Sequence, residues 1–198
     1  MALGTLYIHP RSPRSNWLPL VINHLNLDIE VKIFNETPEF KANFPLGKAP
    51  AYLEEENNFK LTEFVAIAEY FLSISDNKTY IGENLKDKMQ VLRWLSYANQ
   101  DLADIAGQFF FVAKTDDEKA NLSAKMKDQL KFVENELSTR SFLATNYITF
   151  ADVYFFTSYK FYGAIVGGFT TDSYPNLTKW FETMKENDPI AKDILANM

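Results

Sequence analysis

The sequence contains no cysteine in its 198 residues, so no disulfide framework, thiolate metal site or cysteine nucleophile is available to it. Histidine occurs only as His9 and His24, and two imidazoles cannot by themselves close a structural zinc site. Glycine and proline are sparse, at 7 and 8 positions, which excludes collagen-like and low-complexity chains. Cations are outnumbered: 20 Lys and Arg against 26 Asp and Glu give a net charge of −6, spread evenly along the chain. An acidic chain without a basic stripe is unsuited to gripping a phosphate backbone, so no direct nucleic-acid contact is expected. No stretch approaches the ~20 apolar residues of a membrane-spanning helix. The opening Met-Ala-Leu-Gly-Thr-Leu-Tyr has neither the basic region nor the apolar run of a signal peptide. Together these absences predict a cytoplasmic protein with no membrane partner.

What is present is 46% hydrophobic and 23% charged, enough for one large core or two small ones. Up to about Ser75 the segments are short and mixed in period. Thr5 to His9 reads as a strand, and Ile29 to Phe34 alternates apolar with charged residues as a half-buried strand does. Between them Ser15 to Asn26 has helical spacing at Trp17, Leu20, Val21, His24 and Leu25, so the opening unit is strand, helix, strand with a parallel pair. His24 reads as a packed core residue. Thr37-Pro38-Glu39 marks a helix start. Ala51 to Leu53 and Phe59 to Leu61, joined by Glu54 to Asn58, predict a hairpin whose three glutamates form a solvated tip. Glu63 to Ser75 is apolar on most of its surface and predicts a buried helix.

From Leu85 onward the periods are helical throughout. One long pattern runs to about Ala113, a second from Asp116 to Arg140 with three acids in its first turn, and a third opens at Thr149-Phe150-Ala151-Asp152. That last run has a capping-box arrangement with Asp152 in the acid's place, followed by an almost wholly apolar interior to Val166. Pro175 to Glu186 and Ile190 to Asn197 are shorter helices. Trp94, Tyr97, Phe109, Phe110 and Phe111 read as core filling, or else as the lining of a hydrophobic co-substrate site. The expectation is an α+β domain over 1–78 and an all-α domain over 84–198.

Two stretches carry a resemblance: Thr37-Pro-Glu-Phe-Lys-Ala-Asn-Phe-Pro-Leu-Gly-Lys-Ala-Pro-Ala-Tyr52, then Leu61-Thr-Glu-Phe-Val-Ala-Ile-Ala-Glu-Tyr70. They resemble the glutathione-transferase pattern N-P-x-G-x-V-P-A-L followed by E-S-x-A-I-x-x-Y. Gly4-Thr-Leu-Tyr7, Trp94 to Asp101, Arg140-Ser-Phe-Leu-Ala and Ile148-Thr-Phe-Ala-Asp152 look more narrowly like the transferase-like domain of the gamma subunit of translation elongation factor 1. The resemblance implies a thioredoxin-like N-terminal domain followed by an all-helical one. It also implies homodimerisation, usually by the first unit of one chain meeting the long helices of the other.

The same resemblance implies a glutathione site. Pro50 would be a cis proline, and the main chain of Ala49 would pair with the cysteinyl part of glutathione as an added strand. Lys48 would face a glutathione carboxylate. Thr62 and Glu63 would begin a helix whose amides suit the γ-glutamyl carboxylate, with Glu63 accepting from its ammonium. Phe64 stands where transferases usually have Ser, which removes a hydroxyl donor and adds bulk. Ser12 is the positional match to a serine-type thiol activator, with Ser15, Tyr7, Arg11 and Arg14 as alternatives. The Ser-Pro step between two arginines equally suits an ordinary loop leading into a helix cap. The elongation-factor branch implies a scaffold that binds the nucleotide-exchange subunit of the elongation factor 1 complex in protein synthesis. The transferase branch implies conjugation of the glutathione thiolate to small electrophiles. A docking domain of an aminoacyl-tRNA synthetase assembly is a third reading.

Overall fold

A computed structural model describes residues 2–12 and 14–197. Pro13, and with it the conformation of the Ser12–Pro13 step, lies outside the described residues, as does Met198 at the end of the expected second domain. The chain divides into two compact units, Met1–Lys78 and Thr79–Met198.

The first unit follows the order β1 (Gly4–Ile8), α1 (Leu18–His24), β2 (Ile29–Ile33), α2 (Pro38–Asn43), β3 (Ala51–Glu54), β4 (Phe59–Thr62) and α3 (Phe64–Ile74). Its sheet has the strand order β2-β1-β3-β4, with β1 and β2 parallel and the remaining pairs antiparallel. This is the thioredoxin-like arrangement that the resemblance implied, with the strand–helix–strand opening and the hairpin where the patterning placed them.

Three local details depart from the sequence reading. The first helix begins at Leu18 rather than at Ser15. Proline is tolerated only in a helix's first turn, and Pro19 therefore keeps the helix from starting earlier. Ser15 is fully buried, and its hydroxyl donates to the His9 carbonyl at 3.2 Å and accepts from the His9 amide at 3.1 Å, tying the loop back onto β1. His24 is half-buried rather than packed in the core. In β2, an edge strand of the sheet, only Ile29 is buried, while Val31 and Ile33 are 37% and 62% exposed.

The hairpin tip also differs. Glu54 ends β3, and its carboxylate accepts from the Tyr52 hydroxyl at 3.2 Å, from Asn57 at 2.8 Å and from the Tyr70 hydroxyl of α3. Burial alone would raise the Glu54 pKa, but the bonds from Tyr70, Asn57 and Tyr52 hold it below the usual carboxylate range. The bond to Glu54 and burial push the Tyr70 phenol up to about 12. Glu54 is therefore the staple between hairpin and α3, and of the three glutamates Glu55 and Glu56 are the exposed ones. Tyr70→Phe, which deletes one partly buried bond to a charged group, is expected to cost about 1–2 kcal/mol in urea denaturation, with no loss if water replaces the phenol.

The second unit is helical after a 3-10 turn at Thr79–Ile81. The long pattern from Leu85 is continuous but has two π segments: α4 (Leu85–Tyr97), a π turn (Ala98–Leu102), α5 (Ala103–Gly107) and a second π turn (Gln108–Val112). Trp94 is buried, whereas Phe110 and Phe111 are exposed and do not fill the core. Then come α6 (Asp116–Leu137), α7 (Phe150–Val166), α8 (Pro175–Asn187) and α9 (Pro189–Ala196). Helix α7 is the central one, with twelve of its residues buried. Its first turn carries the expected box: the Thr149 amide and hydroxyl both donate to Asp152, each at 3.0 Å.

Candidate functional site

Strand register gathers three segments of the first unit at one end of the sheet. Tyr7 pairs with Ala51, and Ala51 pairs with Thr62. The chain leaving β1, the Ala49–Pro50 step entering β3 and the turn from β4 into α3 therefore lie side by side. No other end of this sheet collects a loop, a strand entry and a helix start together.

The Ala49–Pro50 peptide is cis. Pro50 is buried, Ala49 half-buried and Lys48 exposed. Among the described residues the Ala49 main chain makes no hydrogen bond, so the edge beside Pro50 is open to an added strand.

The helix start beside it is built from Thr62 and Glu63. Thr62 is half-buried in β4 and Glu63 is exposed. Glu63 sits at φ 69 and ψ 122, a conformation that L-residues rarely adopt, and its side chain makes no capping bond to α3. No side chain caps this 11-residue helix, whose N-terminal end carries the positive pole of its dipole beside Glu63. Phe64 corrects one expectation. Its ring is only 1% exposed and packs edge-to-face on Trp17 with centroids 5.6 Å apart. The hydroxyl is indeed missing, but the added bulk is turned into the core between α1 and α3 rather than into the cleft.

The loop after β1 holds Ser12, half-buried, with its amide donating to the His9 carbonyl at 3.0 Å. The Ser12 hydroxyl accepts from the Arg14 amide at 3.3 Å and, among the described residues, gives its own proton to none. A hydroxyl oriented by an accepted bond and still able to donate can stabilise a neighbouring thiolate. Arg11 is exposed and Arg14 half-buried in the same loop.

Two alternative activators stand elsewhere. The Ser15 hydroxyl is spent on His9. Tyr7 packs its ring against Phe40 and Phe44 on the α2 face, with centroids 5.1 and 6.0 Å away, and burial pushes its phenol up rather than down. It lines a pocket of about 220 Å³ with Lys32 and Asn35, on the side of β1 toward β2. Groups of three or more His, Asp or Glu able to hold a metal are absent among the described residues. The Phe64–Trp17 contact and the Glu54 staple escaped the sequence reading, since each joins residues far apart in the chain with no motif between them.

The Ala49–Pro50 step, the start of α3 and the Ser12 hydroxyl thus come together at one sheet end. Residues 2–73 match the glutathione S-transferase N-terminal domain and residues 85–188 the C-terminal domain of the same family. Glutathione S-transferase Y-2 of Pichia kudriavzevii is 29% identical over 98% of this chain and all of its own length. Elongation factor 1-gamma 2 of Saccharomyces cerevisiae is 32% identical over the whole chain, which spans 50% of that relative. The crystal structure of a glutathione S-transferase from Pichia kudriavzevii superposes with a TM-score of 0.82 at 36% identity, covering all of this chain and 95% of that one. With both domain models matched in order, and the two-unit architecture to go with them, the chain belongs to the glutathione S-transferase family.

Proposed function

We propose that the first unit binds glutathione and that the chain transfers its thiolate to small electrophiles in the cytoplasm. The open main chain of Ala49 beside cis-Pro50, one strand away from the uncapped start of α3, carries this reading. Ala49 pairs with the cysteinyl unit, the α3 terminus takes the γ-glutamyl carboxylate, Glu63 accepts from the ammonium, and Lys48 faces the glycyl carboxylate. Arg14 belongs to the binding loop, its amide fixing Ser12. In the reaction the thiol gives its proton to solvent, sulfur bonds to the electrophilic carbon, and the leaving group departs with its electron pair.

Calorimetry with reduced glutathione tests the binding step. Saturable one-to-one binding that S-alkyl glutathione displaces is the expected result. The absence of the Ser hydroxyl at position 64 is expected to weaken that affinity about ten- to a hundredfold relative to a hydroxyl-bearing site, the cost of one bond to a charged group. No heat at millimolar glutathione would sink the proposal.

A second reading is a scaffold that holds the nucleotide-exchange subunit of the elongation factor 1 complex. Likeness to elongation factor 1-gamma along the whole chain supports it, as does Phe64 in place of a ligand-binding Ser. Its test is a pull-down with that subunit; the two-fold homodimer, which the family resemblance implies under either reading, is tested by light scattering.

A further inference from the structure

Strand β2 is one of the two edges of the sheet, the other being β4, and its sequence is Ile29-Glu30-Val31-Lys32-Ile33. Phe34 donates its amide to the Ile8 carbonyl at 2.7 Å. Main-chain groups alternate sides along a strand, so those of Glu30 and Lys32 also face β1, while those of Val31 and Ile33 point away from the sheet. Side chains alternate as well. Glu30 and Lys32 lie on the face where Tyr7, the partner of Lys32 in the register, meets α2, and they form a 3.0 Å ion pair in which both are about half exposed. The exposed Val31 and Ile33 lie on the opposite face.

From this we infer that β2 is an interaction edge for a second copy of the same chain, paired antiparallel about a two-fold axis through Val31. In that register Val31 meets Val31 of the second copy as a hydrogen-bonded pair, and Ile29 meets Ile33. Glu30 meets Lys32 twice, in the closer non-hydrogen-bonded positions where side chains lie nearest. A parallel in-register pairing sets Glu30 on Glu30 and Lys32 on Lys32. The two charges thus select the antiparallel form, whereas an edge protected only against pairing is served by lysine alone. The strand is short, so the contact is a weak one at the small end of interface sizes. It lies across β1 from β3, away from the Ala49–Pro50 step.

The absence of cysteine makes a covalent trap clean. Residues of a hydrogen-bonded antiparallel pair have Cα atoms about 5.5 Å apart, within disulfide reach. Val31→Cys is expected to form a disulfide-linked dimer under mild oxidation at least about tenfold faster than a control Lys192→Cys, exposed on α9. In the Val31→Cys background, Glu30→Lys or Lys32→Glu alone turns two attractive pairs repulsive, and each is expected to slow trapping about tenfold. The double reversal is expected to restore the rate to within about twofold, which also demonstrates that the substituted strand still folds. Trapping no faster than the control, or insensitive to the single reversals, or not recovered by the double one, overturns the inference; an extended segment of another protein on this edge predicts those results.

Discussion

Asp152→Ala is expected to remove about 3–5 kcal/mol from the stability of the second unit, a large share of what a domain of this size possesses. The side chain is fully buried. One carboxylate oxygen accepts from the Leu143 amide at 2.9 Å and the Trp180 indole at 3.0 Å, and the other from the Thr149 amide and hydroxyl. Burial pushes the Asp152 pKa up, and these donors pull against it. Alanine leaves all four donors buried without an acceptor, and the penalty for orphaned donors exceeds the net worth of the bonds themselves. Asp152→Asn keeps one acceptor oxygen but turns an amide nitrogen toward two of the donors, and is expected to fall between wild type and Ala. Urea denaturation followed by tryptophan emission measures the effect, since Trp180 is itself one of the partners. A loss under about 1 kcal/mol would mean that water satisfies the site and that the carboxylate does not hold the loop around Leu143 to α7.

What could be read from the chain and what could not divide along the range of the interactions involved. The capping box of α7 is legible because Thr149 and Asp152 are three residues apart and the chemistry is local. The start of α2 is legible for the same reason: the Thr37 hydroxyl accepts from Phe40, three residues on, with Pro38 at the first helical position. The two domain patterns are legible because hydrophobic period changes from short runs to helical ones. The exposure of Val31 and Ile33 is not, since alternation looks alike in an edge strand and a central one, and only the strand order decides. Nor is the staple from Tyr70 to Glu54, sixteen residues apart in the chain. At the candidate site, sequence names Ser12, Lys48, Ala49, Pro50, Thr62 and Glu63 but not the register that brings their segments together. Phe64 illustrates the limit most sharply. The residue type announces a lost hydroxyl, and only Trp17 beneath it reveals that the ring fills the core instead of the cleft.

Ser12→Ala is expected to lower kcat/KM for chloronitrobenzene conjugation about ten- to a hundredfold while leaving the Kd for S-hexylglutathione within about twofold. The reasoning starts from the thiol. A free thiol has a pKa near ~8.5, so only a few per cent is ionised at neutral pH, and lowering that by two units takes about 2.7 kcal/mol of preferential thiolate stabilisation. A hydrogen bond to a charged group is worth about 1.5–3 kcal/mol, so one well-placed hydroxyl supplies the larger part. In this loop the Ser12 oxygen accepts from the Arg14 amide, and among the described residues its proton is given to none. Losing it moves the thiol back toward its free pKa. The rate of the Ala variant should then rise with pH in the range where the wild type is already level, a displacement of the profile that a merely structural role for the loop does not produce. Ser12→Thr keeps the donor and is expected to restore most of the activity. An S-alkyl ligand has no ionisable thiol, which is why its affinity separates thiolate stabilisation from binding. Should Ser12→Ala match wild type in rate and pH profile, Ser12 is a turn residue and the Arg14 bond its whole purpose. Should conjugation be absent from the wild type as well, while calorimetry still records glutathione, the site binds without activating, and the scaffold reading inherits a working pocket.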